Sequence, residues 1–254
     1  MVLRLDLNAD VGEHDGPPPP SAIALLRVLT SASVACGGHA GDPTSMRLIV
    51  AEASALGVQV GAHPSYPDRD GFGRRALPLT PLAITDAVTA QVHALCEVAD
   101  AQGASVRHVK PHGALYTDAC RDRTVADAVV AGVLHAGAWL AVYAPQGSAL
   151  WESAGRHGLR TIAEGFLDRA YEPDGALTPR SLPGAVIDDV STVRRRAVEW
   201  ARTGCVAVRG GGRLHLPVST LCVHSDTPGA LALACAVRDD LEAAGVRLLP
   251  SLRP

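Results

Sequence analysis

The 254-residue chain has few aromatic residues, 4% of the total, and almost no charge imbalance, with a formal net charge of −3. A near-neutral balance lacks the basic footprint that a polyanion partner needs, so nucleic-acid binding is not expected. No run approaches the roughly 20 apolar residues of a membrane span. Arg4 and Asp6 interrupt the first ten residues, so neither a span nor a secretory leader is expected. The six cysteines (Cys36, Cys96, Cys120, Cys205, Cys222 and Cys235) include no C-x-x-C pair, and the chain is too long to need a disulfide framework. A reducing cytoplasm is the expected setting. G-x-x-x-x-G-K-[ST] and G-x-S-x-G are also missing, so P-loop phosphate binding and serine-hydrolase chemistry find no support.

What is present is enough apolar material for a large core: 47% of residues are hydrophobic and 19% charged. The length suits one closed α/β barrel, which commonly uses about 250 residues, and a single domain over 1–254 is expected. Strand-length apolar runs alternate with segments of helical periodicity, the pattern of parallel strands joined by crossover helices. Strands are predicted near 2–9, 32–36, 58–62, 106–110, 139–144, 159–164, 205–208 and 220–224. Helices are predicted near 20–30, 43–56, 80–102, 122–136, 147–157, 188–203 and 227–244. Asp42-Pro43, Thr80-Pro81 and Thr227-Pro228 each place a capping residue before a proline, a frequent helix start. Residues 205–218 look more like a hairpin around Gly210-Gly211-Gly212, so the barrel is expected to be irregular there. Gly165 to Asp188 has little periodicity, which marks a functional or mobile loop.

Alternation along the strands separates an apolar from a polar face. Leu3, Leu5, Leu7 and Ala9 oppose Arg4, Asp6, Asn8 and Asp10. His108, Lys110 and His112 likewise share one face, and Cys222, His224 and Asp226 another. With helices outside, the polar face must point inward, where unpaired ions cost several kcal/mol. Barrel enzymes place their sites at the C-terminal ends of the strands, which is where Asp10, His39, His63, Lys110, His112, Glu164 and Asp226 fall.

Each of these features also has a plain structural explanation. A lone interior histidine is more often hydrogen-bonded structure than catalyst, and His93, His135 and His157 on predicted helices read as surface residues. Asp10, His39 and His63 suit a divalent metal by ligand type, yet no H-E-x-x-H spacing accompanies them, and the metal is left open. An inward Lys110 either pairs with Asp6 or Asp10 or meets a phosphate or substrate carboxylate. Arg74 and Arg75 end a Pro/Gly/Asp-rich loop and could fork onto an anion, although loop arginines are more often solvated. Asp42 and Asp226 can serve as helix caps, and Arg194-Arg195-Arg196 is expected to be a solvated face.

Read in order, the strand-end motifs are LNADVGE at 7–13, ACGGHAGD at 35–42, GAHPSYPDRDGFGRR at 61–75, VRHVKPHGALY at 106–116, EGFLDRAYEPDGALTPRSLPGAVI at 164–187 and LCVHSDTPGA at 221–230. In this order the chain resembles the LamB/YcsF family, which supplies the A subunit of ATP-hydrolysing 5-oxoprolinase. The resemblance implies an irregular, seven-stranded β/α barrel of the glycoside hydrolase and deacetylase type. It also implies ATP-dependent opening of 5-oxo-L-proline to L-glutamate with subunits B and C, using ATP and Mg2+. By motif position it assigns catalysis to Asp10, His39, His63, Lys110, His112 and Asp226, with Asp10 or His63 as base and Lys110 as the phosphate or oxyanion contact. Substrate contacts would come from Asn8, Glu13, Arg74, Arg75, Tyr116 and His224.

Three departures bear on substrate fit. His14-Asp15 replaces the usual Gly-Phe after Glu13, Gly38 replaces a phenylalanine and so removes an aromatic wall beside His39, and Ser225 replaces a glycine. Two other functions stay open: a metal-dependent deacetylase or amidohydrolase working without ATP, and a non-catalytic subunit that binds the lactam. Homo-oligomerisation is compatible with all three.

Overall fold

The computed structural model describes residues 3–224 and 229–252. Ser225, Asp226 and the Thr227-Pro228 helix start lie outside the described residues. Seven parallel strands close into a barrel: β1 (Arg4–Val11), β2 (Ser31–Ala35), β3 (Gln59–His63), β4 (Val106–Val109), β5 (Ala141–Ala144), β6 (Thr161–Phe166) and β9 (Thr220–Cys222). Closure comes from the pairing of Asp6 to Asn8 with Thr220 to Cys222. Between β6 and β9 the chain makes an antiparallel hairpin, β7 (Cys205–Ala207) and β8 (Arg213–His215), which stands outside the barrel. The fold is therefore the irregular seven-stranded barrel expected, with the irregularity at the glycine run. A two-residue strand, β10 (Arg247–Leu248), pairs with the start of β1 and was too short to be read from periodicity.

The crossover helices are α1 (Pro20–Leu26), α2 (Pro43–Ala55), α3 (Pro81–Asp100), α4 (Gly113–Arg121), α5 (Arg123–Ala136), α6 (Ala149–Arg156), α7 (Val190–Thr203) and α8 (Ala230–Ala243). The capping signals at α2 and α3 act as read: the Asp42 side chain accepts from Ser45 N–H in a capping box, and Thr80 accepts from Ala83 N–H. Only α4 is new. It starts immediately after the VKPH motif, and Asp122 ends it while capping α5, so the helix expected near 122–136 is preceded by a second, shorter one. Among the described residues no helix is long and apolar enough to cross a membrane.

The two faces of the strands part as the alternation requires. Leu5, Leu7, Ala9 and Val11 join the outer hydrophobic core under the helices, while Asp6, Asn8 and Asp10 are buried inside the barrel. Low in that interior, Asp6 accepts hydrogen bonds from the hydroxyls of Thr30, Ser31, Thr220 and Tyr143. His108 stacks on Tyr143 with ring centroids 3.9 Å apart, and it fits only because position 61 is glycine: a Cβ there would lie 2.1 Å from His108 Nε2. The expected solvated face of α7 is only partly so. Arg194 pairs with Asp240 at 2.7 Å, but Arg196 is buried, with its guanidinium 5.3 Å from the Tyr171 ring and 5.4 Å from Trp200.

Candidate functional site

The C-terminal ends of β1, β3, β4 and β6 bring together a buried ionic cluster. Lys110 Nζ donates to Asp10 Oδ1 at 2.8 Å and lies 2.9 Å from Glu164 Oε1, with Cys222 Sγ at 3.1 Å and Asn8 Oδ1 at 3.5 Å. Burial opposes the lysine's charge, but Asp10 first and Glu164 among the others hold its pKa well above the ordinary value. Burial would likewise raise the Asp10 carboxyl, yet the charges of His63 and Lys110 outweigh it and hold the group well below 3.8. Of the two partners proposed for Lys110, Asp10 is the one it meets. Its three N–H groups already have protein partners, so Lys110 keeps Asp10 ionised and has no donor left over for an oxyanion.

Above this cluster the histidine tautomers follow from their carbonyl partners. His63 Nδ1 lies 2.7 Å from the Lys110 carbonyl and His112 Nε2 lies 2.9 Å from the Phe72 carbonyl, and a carbonyl only accepts, so both nitrogens carry hydrogen. The remaining nitrogens, His63 Nε2 and His112 Nδ1, face each other at 2.9 Å. Asp10 Oδ2 is 3.3 Å from the first and Glu13 Oε1 is 3.3 Å from the second. Burial, then His63 and His39, lower the basicity of His112, which also sits at the positive N-terminal end of α4. His112 is therefore the neutral partner. The two facing nitrogens form a hydrogen bond only when one of them carries a second proton, and a carboxylate lies beside each.

A cation could use the same atoms. Donor atoms of Glu13, His39, His63 and His112 all lie within 4.8 Å of one another, and metal-bound histidines usually donate their far N–H as His63 and His112 do. Asp10, named for a metal on ligand type, is turned instead to Lys110 and His63. His39 fits poorly: its ring stacks on His112 at 3.7 Å with planes only 3° apart, so one ion cannot lie in both ring planes. A metal would thus be held by Glu13, His63 and His112, with His39 donating to Glu13 from Nε2 at 3.1 Å.

The cluster forms part of the wall of a cavity of about 370 Å³ that opens at the barrel mouth. Asp10, Glu13, His63, Lys110 and His112 reach it, as do Arg74, Tyr116 and His224. Asn8, His39 and Arg75 do not. Asn8 is fully buried beneath the cluster, donating to Thr220 Oγ1 at 2.7 Å and Glu164 Oε1 at 3.3 Å, which makes it a support for Glu164 rather than a substrate contact. Arg75 is engaged by Asp68. Tyr116 donates to Glu164 Oε2 at 2.9 Å.

Asp168 and Arg169 are not singled out in the sequence, although their loop is. His224 Nδ1 lies 2.8 Å from Asp168 Oδ1, and its backbone N–H donates to the other oxygen, which orients the ring. Burial raises the Asp168 carboxyl, but His224 more than offsets this and lowers it. Asp168 and Arg169 sit in the aperiodic Gly165 to Asp188 segment, which the bridges Arg169–Val186 and Tyr171–Leu177 tie into an ordered wall. The substitution at Gly38 also reads differently in three dimensions. A Cβ there would meet Gln91 Oε1 at 2.1 Å and Ser65 Oγ at 2.4 Å, so the space for a larger side chain is filled by Gln91. The aromatic neighbour of His39 is Phe72, at 5.3 Å, held at φ 53°, a backbone conformation uncommon for a non-glycine residue.

The chain is also similar to known proteins over nearly its whole length. A protein of Chloroflexus aggregans named as the A subunit of 5-oxoprolinase is 47% identical over 246 residues, 96% of this chain and 98% of that protein. One of Pyrococcus furiosus with the same name is 43% identical, with 98% of each chain covered. The crystal structure of a lactam utilization protein from Thermus thermophilus is 40% identical and superposes with a TM-score of 0.91, covering 97% of this chain and 99% of that one. The LamB/YcsF family profile matches residues 5–253, and the chain belongs to the LamB/YcsF family.

Proposed function

We propose that this chain is the lactam-opening subunit of an ATP-dependent 5-oxoprolinase and that it works in the cytoplasm with subunits B and C. The observation that carries the reading is the facing His63–His112 pair, set between Asp10 and Glu13 in the wall of a ligand-sized cavity, in a chain 47% identical to a protein named as the A subunit of 5-oxoprolinase. The six free cysteines suit a reducing compartment.

A lactam is a poor electrophile. Transfer of the ATP γ-phosphoryl group to its oxygen, with Mg2+ on the nucleotide, leaves ADP and an activated ring carbon. His63, when neutral, has Nε2 free of hydrogen and takes a proton from a water adding to that carbon, while Asp10 stabilises the imidazolium formed. The proton then goes to the ring nitrogen as the C–N bond breaks. A second water releases phosphate from the acyl phosphate and leaves glutamate. His224, oriented by Asp168, is a second acid–base group at the same cavity.

Reconstitution with subunits B and C tests this. Glutamate formation from 5-oxo-L-proline should require all three proteins and release one ADP per glutamate, and His63→Ala should lower turnover roughly 1,000-fold, within the range of acid–base catalysis. Full turnover by His63→Ala would reduce the chain to a binding role, and full turnover by B and C alone would remove it from the reaction. The Glu13, His63 and His112 donor set favours one other reading, a metal-dependent amide hydrolase, in which the ion would activate water. Stoichiometric metal in the purified chain together with hydrolysis lacking any nucleotide requirement would establish that reading instead.

A further inference from the structure

The cavity has a second chemical pole besides the histidine cluster. Arg169 is 8% exposed and faces the cavity, yet no carboxylate forms an ion pair with it among the described residues. The nearest acid in sequence, Asp168, is committed to His224. Two backbone carbonyls fix the guanidinium: Nη2 donates to Thr178 O at 2.6 Å and Nε to Ala185 O at 3.3 Å. A guanidinium has five N–H groups, so three remain for a ligand. Its charged neighbours add to the positive potential, since Arg180 and Arg74 line the same cavity. Burial first, and then Arg180, pull the Arg169 pKa down to about 10, and Asp168 offsets them only in part. A buried, unpaired guanidinium is costly unless an anion completes it.

The space between the poles is bounded by Phe166 and Leu177, apolar surfaces suited to the faces of a small ring. A planar fork held rigid by two carbonyls matches a carboxylate, which accepts two parallel N–H bonds. We propose that Arg169, flanked by Arg180 and Arg74, is the site that binds the substrate's carboxylate, so that the cavity selects a small ring acid over the corresponding neutral lactam. The assignment rests on the lactam reading above, and it makes Arg169 the specificity-determining residue of that reaction.

Calorimetric titration of the purified chain tests it with three probes: 5-oxo-L-proline, 2-pyrrolidinone, which is the same lactam without the carboxylate, and cyclopentanecarboxylate, which has the acid without the lactam. The wild-type chain should bind 5-oxo-L-proline roughly 100-fold more tightly than 2-pyrrolidinone, as expected for a charge-assisted bidentate contact. Arg169→Met should erase that ratio while leaving 2-pyrrolidinone affinity unchanged, and Arg169→Lys should restore part of it. Arg180→Gln, at an exposed position, should lower the ratio by roughly 3- to 10-fold, and it decides the matter if Arg169→Met does not fold. A ratio unchanged in these variants, or no preference in the wild type, overturns the site. Loss of ADP affinity in Arg169→Met with the acid preference intact would assign the arginine to phosphate and also overturn it. If cyclopentanecarboxylate binds as tightly as 5-oxo-L-proline and is lost with Arg169→Met, the carboxylate site stands and the lactam reading fails.

Discussion

Asp6 and Asp10 lie on the same face of one strand, four residues apart, and both are buried, yet the barrel treats them in opposite ways. Asp6 is surrounded by hydroxyls from Thr30, Ser31, Thr220 and Tyr143 and meets no cation among the described residues. Asp10 is held between Lys110 and His63 and reaches the cavity. Hydroxyls satisfy lone pairs without moving a full charge, so the Asp6 layer ties four strands together. An imidazole and an ammonium keep a carboxylate ionised and give it a proton to influence. Inward polarity alone therefore does not mark a catalytic group; the partner type and access to the cavity do.

The sharpest way to break this comparison is a pair of isosteric amides. Asp10→Asn should lower glutamate formation by roughly 1,000-fold while the fold survives, because Lys110 keeps Glu164 as its partner. Asp6→Asn should leave turnover within a few-fold of wild type, measured in the same reconstituted assay on protein shown to be folded. Equal losses from both would mean that the lower layer also serves the reaction.

A smaller effect is expected one contact away from the reacting groups. Asp168→Asn leaves His224 in place but removes the charge that orients and supports it, and turnover should fall roughly 10- to 100-fold. A positioning role predicts an altered pH–rate profile; a uniform drop at every pH would assign Asp168 to loop structure. In the lower layer, Gly61→Ala forces a Cβ into His108, which Tyr143 and Ser33 hold in place. That overpacking should cost about 1–3 kcal/mol in chemical denaturation, with turnover per folded molecule retained.

The two layers also differ in how much of them can be read from sequence. Period-two alternation places Asp6, Asn8 and Asp10 inside, and the same rule aligns His108, Lys110 and His112, because a strand leaves its side chains no other choice. What alternation cannot supply is partnership across the barrel. Nothing near Lys110 in the chain points to Asp10 and Glu164, which come from β1 and β6. Tyr143 looks like an apolar strand residue until it is seen to reach Asp6. Arg169 and Asp168 escape for a different reason: their loop has no periodicity, and its order comes from isolated bridges rather than from a pattern. The helix α4 was hidden because α5 follows it after a single residue, Asp122.

The finest test of the comparison is the sign of each carboxylate's pH dependence. Burial raises the Asp6 pKa above 3.8 in the folded chain despite its four hydroxyl donors. Folding then favours the protonated acid, so the stability Asp6 contributes is complete below 3.8 and is lost as pH rises through the folded value. Asp10 has the opposite sign. His63 and Lys110 overcome burial and lower its folded pKa, so its contribution is present above 3.8 and is lost as pH falls through the folded value. Chemical denaturation of wild type, Asp6→Asn and Asp10→Asn from about pH 3 to about pH 8 separates the two. The margin of wild type over Asp6→Asn should shrink as pH rises, and the margin over Asp10→Asn should grow from its acid value and level off. Curves that run parallel would show that the hydroxyl shell and the ion pairs stabilise charge equally, and the functional distinction between the layers would then rest on cavity access alone.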